Sequence, residues 1–283
     1  MSNHYHVVLK INHELARDLS DEEVIGRWTS LFSMPLLIKK HLDKQYDGDY
    51  EFEKAKEIIQ QWRERLADLS WFMRCLNEFI AHKANQEDKC TGRFWEGRFK
   101  SQALLNEQAL LSCMAYVDLN PIRAGLVESL DESEFTSIEQ RIKETVDSKK
   151  TEKQSLVVSQ QSLEKSRKTN SKTPKEAPFI NLADFVGGKD VDGIPYRFMD
   201  YLELVDWTGR AVLENKRGYI PEAEPRILDK LGFTAEIWLQ SVNQFSDHLY
   251  SHIGSPEQLK AVCEQKEQKW IAGIKQSRQF YAS

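Results

Sequence analysis

A long polar segment in the middle of the chain limits what the sequence can fold into. Residues 141–175 carry ten Lys or Arg against four Asp or Glu and few large apolar side chains. A segment of this composition buries too little apolar surface to fold by itself. The sequence therefore predicts an N-terminal domain at residues 1–130, a Lys- and Ser-rich linker at 131–178 and a C-terminal domain at 179–283.

The N-terminal domain is predicted to begin with a strand followed by helices. The β-branched and aromatic residues of 3–11 are typical of a strand, and Ser20 with Glu23 forms a capping-box pattern that opens a helix. Apolar residues at helical spacing predict a helix at 51–67. A strongly apolar helix, expected to be buried, follows from Ser70.

A second strand and helix are predicted next to the polar segment. The aromatic-rich stretch 92–105 is strand-like, and a helix is predicted from Glu107 to Leu119. Pro121 ends this helix, because the residue before a proline resists helical backbone angles.

The C-terminal domain is predicted to be mostly helical. Apolar spacing predicts one helix from Phe198 and another through Leu249, which Gly254 would stop as a C′ residue. Pro256, after a serine N-cap, opens a last helix that reaches Trp270.

His4 and His6 form a His-x-His pair near the start of the chain. Residues two apart on a strand face the same way, so both imidazoles could bind one metal ion while Tyr5 points into the core. Two histidines at this spacing also arise often by chance, so the pair alone is weak support for a metal site.

Tyr116 and Asn120 are four residues apart on a predicted helix and would share one face. The phenol could act as a nucleophile, and the amide oxygen could bind a metal ion. The alternative is ordinary packing of a tyrosine on an amphipathic helix, with Asn120 as a capping residue before Pro121.

Basic residues near these motifs could bind nucleic acid. Arg93, Arg98 and Lys100 lie among aromatic residues in RFWEGRFK, and Arg123 lies near the predicted helix end in NPIRAG. Aromatic rings stack on bases and basic side chains follow phosphates. The alternatives are a half-buried strand with a solvated basic face and a plain turn, for which Gly125 suits a left-handed conformation.

The whole-chain composition sets further limits. The net charge of −5 argues mildly against a nucleic-acid partner, although a local basic patch is enough for a binding groove. Four scattered cysteines without a C-x-x-C pair predict reduced thiols. No stretch approaches the roughly 18 apolar residues of a membrane span, and no signal peptide is visible. A cytoplasmic protein without membrane contact is expected.

The order of these motifs resembles one protein family. The chain carries NHYHVV, then apolar helices, GRFWEGRFK and finally AYVDLNPIRAG. This combination is similar to the single-tyrosine HUH transposases of the insertion-sequence-200-like kind, and most similar to their relatives associated with repetitive extragenic palindromes. Over roughly residues 1–127, the family's His-hydrophobic-His motif falls on His4 and His6, its nucleophile on Tyr116 and its third metal ligand on Asn120.

The resemblance implies a transposase that cleaves and rejoins single-stranded or hairpin DNA through a 5′-phosphotyrosine intermediate. His4, His6 and Asn120 would hold Mg²⁺ or Mn²⁺, and the basic residues named above would contact the DNA. The resemblance also implies a homodimer.

The family's fold implies an α+β protein whose ferredoxin-like catalytic domain carries a helical insertion, followed here by the helical C-terminal domain. In the family a strand and a helix precede the His-x-His strand, whereas Met1 lies three residues before His4. The catalytic domain is therefore expected to lack this first β-α unit, through a late start codon or decay of the gene. Whether the chain is active is a separate question from its family.

Two other function classes stay open. A decayed or domesticated transposase would bind DNA without catalysis and would not need the intact set of two histidines, tyrosine and asparagine. A metal-dependent hydrolase without a DNA substrate would need more carboxylate ligands near the histidines than the sequence offers.

Overall fold

Two compact units make up the part of the chain that the computed structural model describes. The described residues are 4–146, 182–187, 193–213, 225–247 and 250–281. One unit contains residues 9–100, and the other combines the residues before position 9 with those from Ser101 onward. This division differs from the predicted boundaries near 130 and 179, and most of the predicted linker lies outside the described residues.

The unit of residues 9–100 is built from five described helices. They are α1 (His13–Asp18), α2 (Asp21–Thr29), α3 (Leu36–Leu42), α4 (Asp49–Leu66) and α5 (Leu69–Glu87). The capping box at the start of α2 is confirmed: the Glu23 amide donates to Ser20 Oγ over 3.2 Å, and the Ser20 amide donates to Glu23 Oε2 over 2.7 Å. The helix predicted at 51–67 is confirmed as α4.

Stacked tryptophans form the centre of this unit. The rings of Trp28 and Trp62 are nearly parallel, with an interplanar angle of 7° and centroids 5.1 Å apart. Val24, Ile38 and Ile59 are buried around them. Burying each such side chain contributes about 1.5–3 kcal/mol, so this cluster provides the unit's main stabilisation.

The prediction that the helix after Ser70 is buried is wrong. Helix α5 begins one residue earlier, with Asp68 as its N-cap, and Met73 is its one fully buried residue. Phe79 is 63% exposed. Helix α5 contacts α4, its Trp71 packs against the tryptophan cluster, and its other residues apart from Met73 are half-buried or exposed.

Both predicted strands of the N-terminal region are corrected by the structure. Residues 4–12 have no regular secondary structure, and among the described residues no strand pairs with them. In the stretch 92–105 only Ala103–Leu104 forms a strand. The preceding residues fold back on themselves instead, because the Arg93 side chain donates hydrogen bonds to the carbonyl oxygens of Trp95 and Glu96.

The second unit combines a short sheet with helices from both halves of the sequence. Its elements are β1 (Ala103–Leu104), α6 (Glu107–Asp118), α7 (Asn120–Arg123), α8 (residues 137–146), α9 (Phe198–Leu213), α10 (Ile227–Leu231), α11 (Ala235–Asn243), β2 (His252–Ile253), α12 (Pro256–Gln265) and α13 (Ile274–Phe280).

Strands β1 and β2 pair in parallel, with Ala103 opposite His252 and Leu104 opposite Ile253. This pairing corrects the prediction of a helix through Leu249 that Gly254 would stop. Helix α11 ends at Asn243 and residues 244–247 form turns, while the predicted helix end at Leu249 lies outside the described residues.

One hydrophobic core joins the helices of this unit. Helix α6 packs on α11, and α7 packs on α9. Tyr201, Trp207 and Trp238 are fully buried between them, and the Trp238 indole donates a 2.9 Å hydrogen bond to Thr208 Oγ1. The helix that carries Tyr116 is therefore stabilised by residues more than eighty positions later in the chain.

The described residues are helix-rich with a small two-stranded parallel sheet, which is compatible with the predicted α+β class. They contain no ferredoxin-like sheet. The serine-capped helix at Pro256 is confirmed, although it ends at Gln265 and leaves Trp270 outside it and 77% exposed. No helix in the described ranges is both long and apolar enough to cross a membrane.

Candidate active site around Tyr116

Tyr116 lies in the last turn of α6, where the helix is firmly anchored. Asn106 caps the start of α6 by accepting a 2.8 Å hydrogen bond from the Ala109 amide. Leu111, Ala115 and Leu119 are fully buried on the side facing the core. Tyr116 itself is half-buried, so its ring contacts the protein while part of it stays accessible.

The two histidines of the predicted metal pair lie next to Tyr116. The rings of His4 and His6 meet edge to face with centroids 5.2 Å apart, and the His6 ring meets the Tyr116 ring edge to face at 5.6 Å. His4 and His6 thus share one location although they do not lie on a strand. Tyr5 is half-buried rather than part of the core.

The surroundings of His6 favour the neutral imidazole. Partial loss of hydration lowers the pKa of His6, and the neighbouring His4 lowers that pKa further. A neutral imidazole is the form that binds a metal ion. The lowered pKa of His6 therefore favours the form that a metal ligand requires.

Asn120 lies one helical turn after Tyr116, as the sequence predicted, but across a break in the helix. Helix α6 ends at Asp118 with Leu119 as its C-cap, and Asn120 begins the short α7 with Pro121 in its first turn. Asn120 is buried, and its backbone carbonyl accepts a hydrogen bond from the Ala124 amide over 3.0 Å.

The turn after α7 confirms the role predicted for Gly125. Its φ of +65° lies in the left-handed region that glycine adopts without steric cost. The Gly125 amide donates to the Ile122 carbonyl and the Leu126 amide donates to the Pro121 carbonyl, each over 3.0 Å. This closure fixes the direction of α7 and thereby of Arg123.

Arg123 lies against the candidate nucleophile. Its guanidinium carbon is 5.3 Å from the centroid of the Tyr116 ring, and its Nη2 donates a hydrogen bond to Asn243 Oδ1. Its Nε is buried and has no hydrogen-bond partner among the described residues. Burial lowers the pKa of Arg123, while Tyr116 and Asp247 act in the opposite direction. The guanidinium stays charged, because arginine is not deprotonated in proteins.

Phe245 and Asn243 are site residues that sequence reasoning missed. The Phe245 ring stacks on the Tyr116 ring at a centroid distance of 5.6 Å and an interplanar angle of 28°. Phe245 belongs to the apolar spacing that predicts a helix through Leu249, but such a pattern does not indicate which residue a side chain contacts.

The last residue of α6, Asp118, belongs to a buried network of hydrogen bonds. Asp118 accepts hydrogen bonds from the Tyr201 hydroxyl over 2.5 Å and from the Ser137 hydroxyl over 3.1 Å. Burial raises the pKa of Asp118, and the hydrogen bonds partly oppose this rise. Burial also raises the pKa of Cys113 to about 12, so its thiol stays protonated and unreactive.

Arg93, Arg98 and Lys100, predicted to contact DNA, belong to the compact unit of residues 9–100. All three are exposed. The Arg93 side chain is committed to the carbonyls of its own loop, with a 2.8 Å bond from Nε to the Trp95 oxygen. The loop therefore presents Arg98 and Lys100 to solvent more freely than Arg93.

The separation of His4 and His6 fits two imidazole ligands of one divalent metal ion. Metal–nitrogen bonds of about 2.1 Å put the centroids of two imidazoles on one ion roughly 5 Å apart. The His4 and His6 centroids have a separation of 5.2 Å. In the described part of the chain, no group of three or more His, Cys, Asp or Glu side chains could hold a metal ion. A third protein ligand here would thus be an amide oxygen such as that of Asn120, which is buried one helical turn after Tyr116.

The likeness to HUH transposases rests on the sequence motifs. No model of a known protein family, no curated protein and no solved structure matches this chain.

Proposed function

We propose that this chain is a transposase of the single-tyrosine HUH kind, which cleaves and rejoins single-stranded DNA through Tyr116. The observation that carries the proposal is the 5.6 Å contact between the rings of His6 and Tyr116. The histidine pair and Tyr116, which lies 110 positions after His6, meet in one place without a strand to hold the histidines. A chance His-x-His pair has no reason to lie beside this particular tyrosine.

Tyr116 supplies the nucleophilic oxygen. Its phenol loses a proton and forms a bond to phosphorus, while the bond from phosphorus to the 3′ oxygen breaks. The products are a 5′-phosphotyrosine and a free 3′ hydroxyl, which takes up a proton. Because the phosphodiester energy is kept in the covalent link, the reverse reaction rejoins DNA without ATP.

The side chains around Tyr116 have distinct roles in this reaction. His4, His6 and Asn120 would hold Mg²⁺ or Mn²⁺, and the imidazole nitrogens favour Mn²⁺ somewhat. When bound, the ion supplies Lewis-acid polarisation of the scissile phosphate. Arg123 carries a permanent positive charge beside the phenol and can stabilise the phosphate that Tyr116 attacks.

DNA contacts away from Tyr116 are assigned to the exposed basic residues. Arg98 and Lys100 would follow the phosphate backbone, with Arg93 supporting their loop. The ferredoxin-like catalytic domain and homodimer formation remain predictions from the family resemblance. A cytoplasmic location remains a prediction from the apolar pattern of the sequence.

A covalent-adduct assay tests the proposal. The full chain is mixed with single-stranded hairpin DNA labelled at its 3′ end, with Mn²⁺, and separated on a denaturing gel. We expect a labelled protein band in the natural chain and none in Tyr116→Phe, which keeps the ring and lacks the nucleophilic oxygen. Because Tyr196 is a half-buried tyrosine of the same unit, Tyr196→Phe is a matched control and should keep the band.

DNA binding by the same variants separates the proposal from its main alternative. If the natural chain binds the hairpin but forms no adduct with Mn²⁺ or Mg²⁺, the chain is a non-catalytic DNA-binding remnant and the proposal is wrong. An adduct that persists in Tyr116→Phe would likewise remove Tyr116 from the mechanism.

A further inference from the structure

We propose that Phe245 and Asn243, two residues of the C-terminal region, position Tyr116 for attack. This inference rests on the proposed function and goes beyond it, because it gives the C-terminal region a role in the reaction. Phe245 acts directly on the Tyr116 ring, and Asn243 acts through Arg123. Both are positioning residues, since neither is required to touch the reacting phosphate.

Phe245 holds the plane of the Tyr116 ring. The two rings stack at 5.6 Å with an interplanar angle of 28°, while the His6 ring meets Tyr116 at 77°. Phe245 is 8% exposed and belongs to the main core of its unit, so it offers a fixed surface. A stacked ring on a fixed partner cannot turn freely about its Cα–Cβ bond, and the phenolic oxygen keeps one direction.

Tyr116 and Phe245 are held close because the helix that carries Tyr116 packs on the helix that ends just before Phe245. Helix α6, which carries Tyr116, lies against α11, which ends two residues before Phe245. The hydroxyls of Ser112 and Ser241 are 3.3 Å apart in this buried interface. Movement of Tyr116 relative to Phe245 would therefore require the helix pair to separate.

Asn243 holds the guanidinium of Arg123 in place beside the Tyr116 ring. Arg123 donates from Nη2 to Asn243 Oδ1, and its Nε is buried without a partner in the described part of the chain. Within the described residues, Asn243 is thus the hydrogen-bond acceptor of this guanidinium. Without it, the long arginine side chain would turn away from the Tyr116 ring, where it now lies at 5.3 Å.

These contacts bear on the rate because a nucleophile must approach phosphorus in line with the bond that breaks. Misplacement by about 1 Å can cost roughly a hundredfold in rate. Loss of a positioning residue is therefore expected to slow the covalent step at saturating DNA. The affinity for DNA should stay the same, because Phe245 is buried.

The test is the single-turnover rate of adduct formation at saturating hairpin DNA, measured with DNA affinity and thermal stability. We expect Phe245→Ala to lower the rate about ten- to a hundredfold with unchanged affinity, and Phe245→Tyr to restore it. Phe233→Ala is the matched control: Phe233 is 6% exposed in the same core and packs on Trp238 and Tyr281 instead of Tyr116. It should lower stability without lowering the rate.

Asn243 is tested by a pair of variants. Asn243→Ala removes the acceptor and should slow the covalent step several-fold, whereas Asn243→Asp keeps an acceptor oxygen and should react close to the natural rate. If Phe245→Ala does not fold, Phe245→Leu keeps most of the volume, loses the stacked ring and is expected to show the same loss of rate.

The possible failures are distinguishable. An active natural chain whose rate is unaffected by Phe245→Ala or Phe245→Leu overturns the positioning role and leaves the proposed function standing. Equal losses in Phe245→Ala and Phe233→Ala also overturn it, because they would reflect general loss of packing. A natural chain that forms no adduct refutes the proposed function, and the positioning role with it.

Discussion

The hydroxyl of Tyr201 donates a 2.5 Å hydrogen bond to the carboxyl of Asp118, two residues after the candidate nucleophile. Both groups are buried, and Ser137 donates to the second carboxyl oxygen. This network ties the end of α6 to α9. It also places an ionisable group where ionisation is costly, because burial raises the pKa of Asp118.

The raised pKa of Asp118 makes the stability of the unit depend on pH. Below the unfolded-state pKa of about 3.9 the carboxyl is neutral in both states, and its contribution is fully present. As the pH rises, the unfolded chain ionises first, so this contribution declines until the pH exceeds the raised folded pKa. The contribution of Asp118 to stability is therefore lost at and above about pH 4.

Asp118→Asn tests this dependence, because the amide keeps hydrogen bonding and removes the charge. We expect the free energy of unfolding of the variant, relative to the natural chain, to rise between pH 4 and pH 7. Urea unfolding at several pH values measures it, and the difference cancels the titration of other groups. A difference that is flat or falls with pH would contradict the raised pKa.

A close approach at Gly254 gives a second prediction about stability. A Cβ at this position would lie 2.7 Å from the Cβ of Leu105 and 2.7 Å from Oε1 of Gln258. Leu105 directly follows β1, and its amide donates to the Ile253 carbonyl over 2.8 Å, so it cannot yield without loosening the pairing of the two strands. We therefore expect Gly254→Ala to lower the free energy of unfolding by about 1–3 kcal/mol.

Gly26 provides the control for that substitution in a urea titration. It lies inside α2 with nothing within 4 Å of an added Cβ. Gly26→Ala should therefore be neutral or stabilising by up to about 1 kcal/mol, through helix propensity. Equal effects of the two substitutions would show that the contact with Leu105 does not limit position 254.

If His6 binds the metal ion, its removal should lower the formation of the covalent adduct. His6→Ala removes one imidazole and should lower adduct formation by roughly a hundredfold or more, because metal polarisation supplies several kcal/mol. His82→Ala, an exposed histidine on α5, should have no effect. Chelation with EDTA should abolish the adduct in the natural chain, and full activity in EDTA would rule out a metal-dependent mechanism.

The exposed basic loop predicts a change in the salt dependence of DNA binding. Each phosphate contact on single-stranded DNA adds about 0.7 to the slope of log affinity against log salt. Removing both Arg98 and Lys100 should therefore weaken binding and flatten the slope by about 1.4, if each contacts one phosphate. Fluorescence anisotropy from low to high salt measures both.

Arg27 serves as the control for this experiment. It is an exposed arginine in the last turn of α2 and lies outside the basic loop. Arg27→Ala should leave the slope unchanged. The same flattening in Arg27→Ala would mean that the whole surface, rather than the loop, binds DNA.

Local rules predicted the elements whose stability is local. The capping box at Ser20, the helix at 51–67, the helix beginning at Glu107 and the left-handed turn at Gly125 are all present. Each depends on hydrogen bonds or backbone angles within a few residues. The sequence at those positions contains all the information that the structure uses.

The predicted strands failed because a strand depends on a partner elsewhere in the chain. Aromatic and β-branched residues at 4–11 favour extended backbone, but among the described residues no neighbouring strand completes the pairing. The sheet uses Leu104 and Ile253 instead, a pairing between distant segments that periodicity does not reveal.

The residues that would carry out the chemistry could be predicted from the sequence, whereas the residues that surround Tyr116 could not. The motifs indicated His6 and Tyr116 together through a family resemblance, and the structure brings their rings into contact. Phe245 and Asn243 escaped prediction because their role depends on how α11 packs against α6. A pattern within one short segment does not show how two helices far apart in the sequence pack against each other.

The most direct measurement of the central claim is to find the residue that carries the DNA. The adduct formed with hairpin DNA and Mn²⁺ is digested with nuclease and protease, and the modified peptide is sequenced by mass spectrometry. We expect one nucleotide remnant, joined through its 5′ phosphate to Tyr116. A phosphate link to any other residue, or no modified peptide when the natural chain binds the DNA, would contradict it.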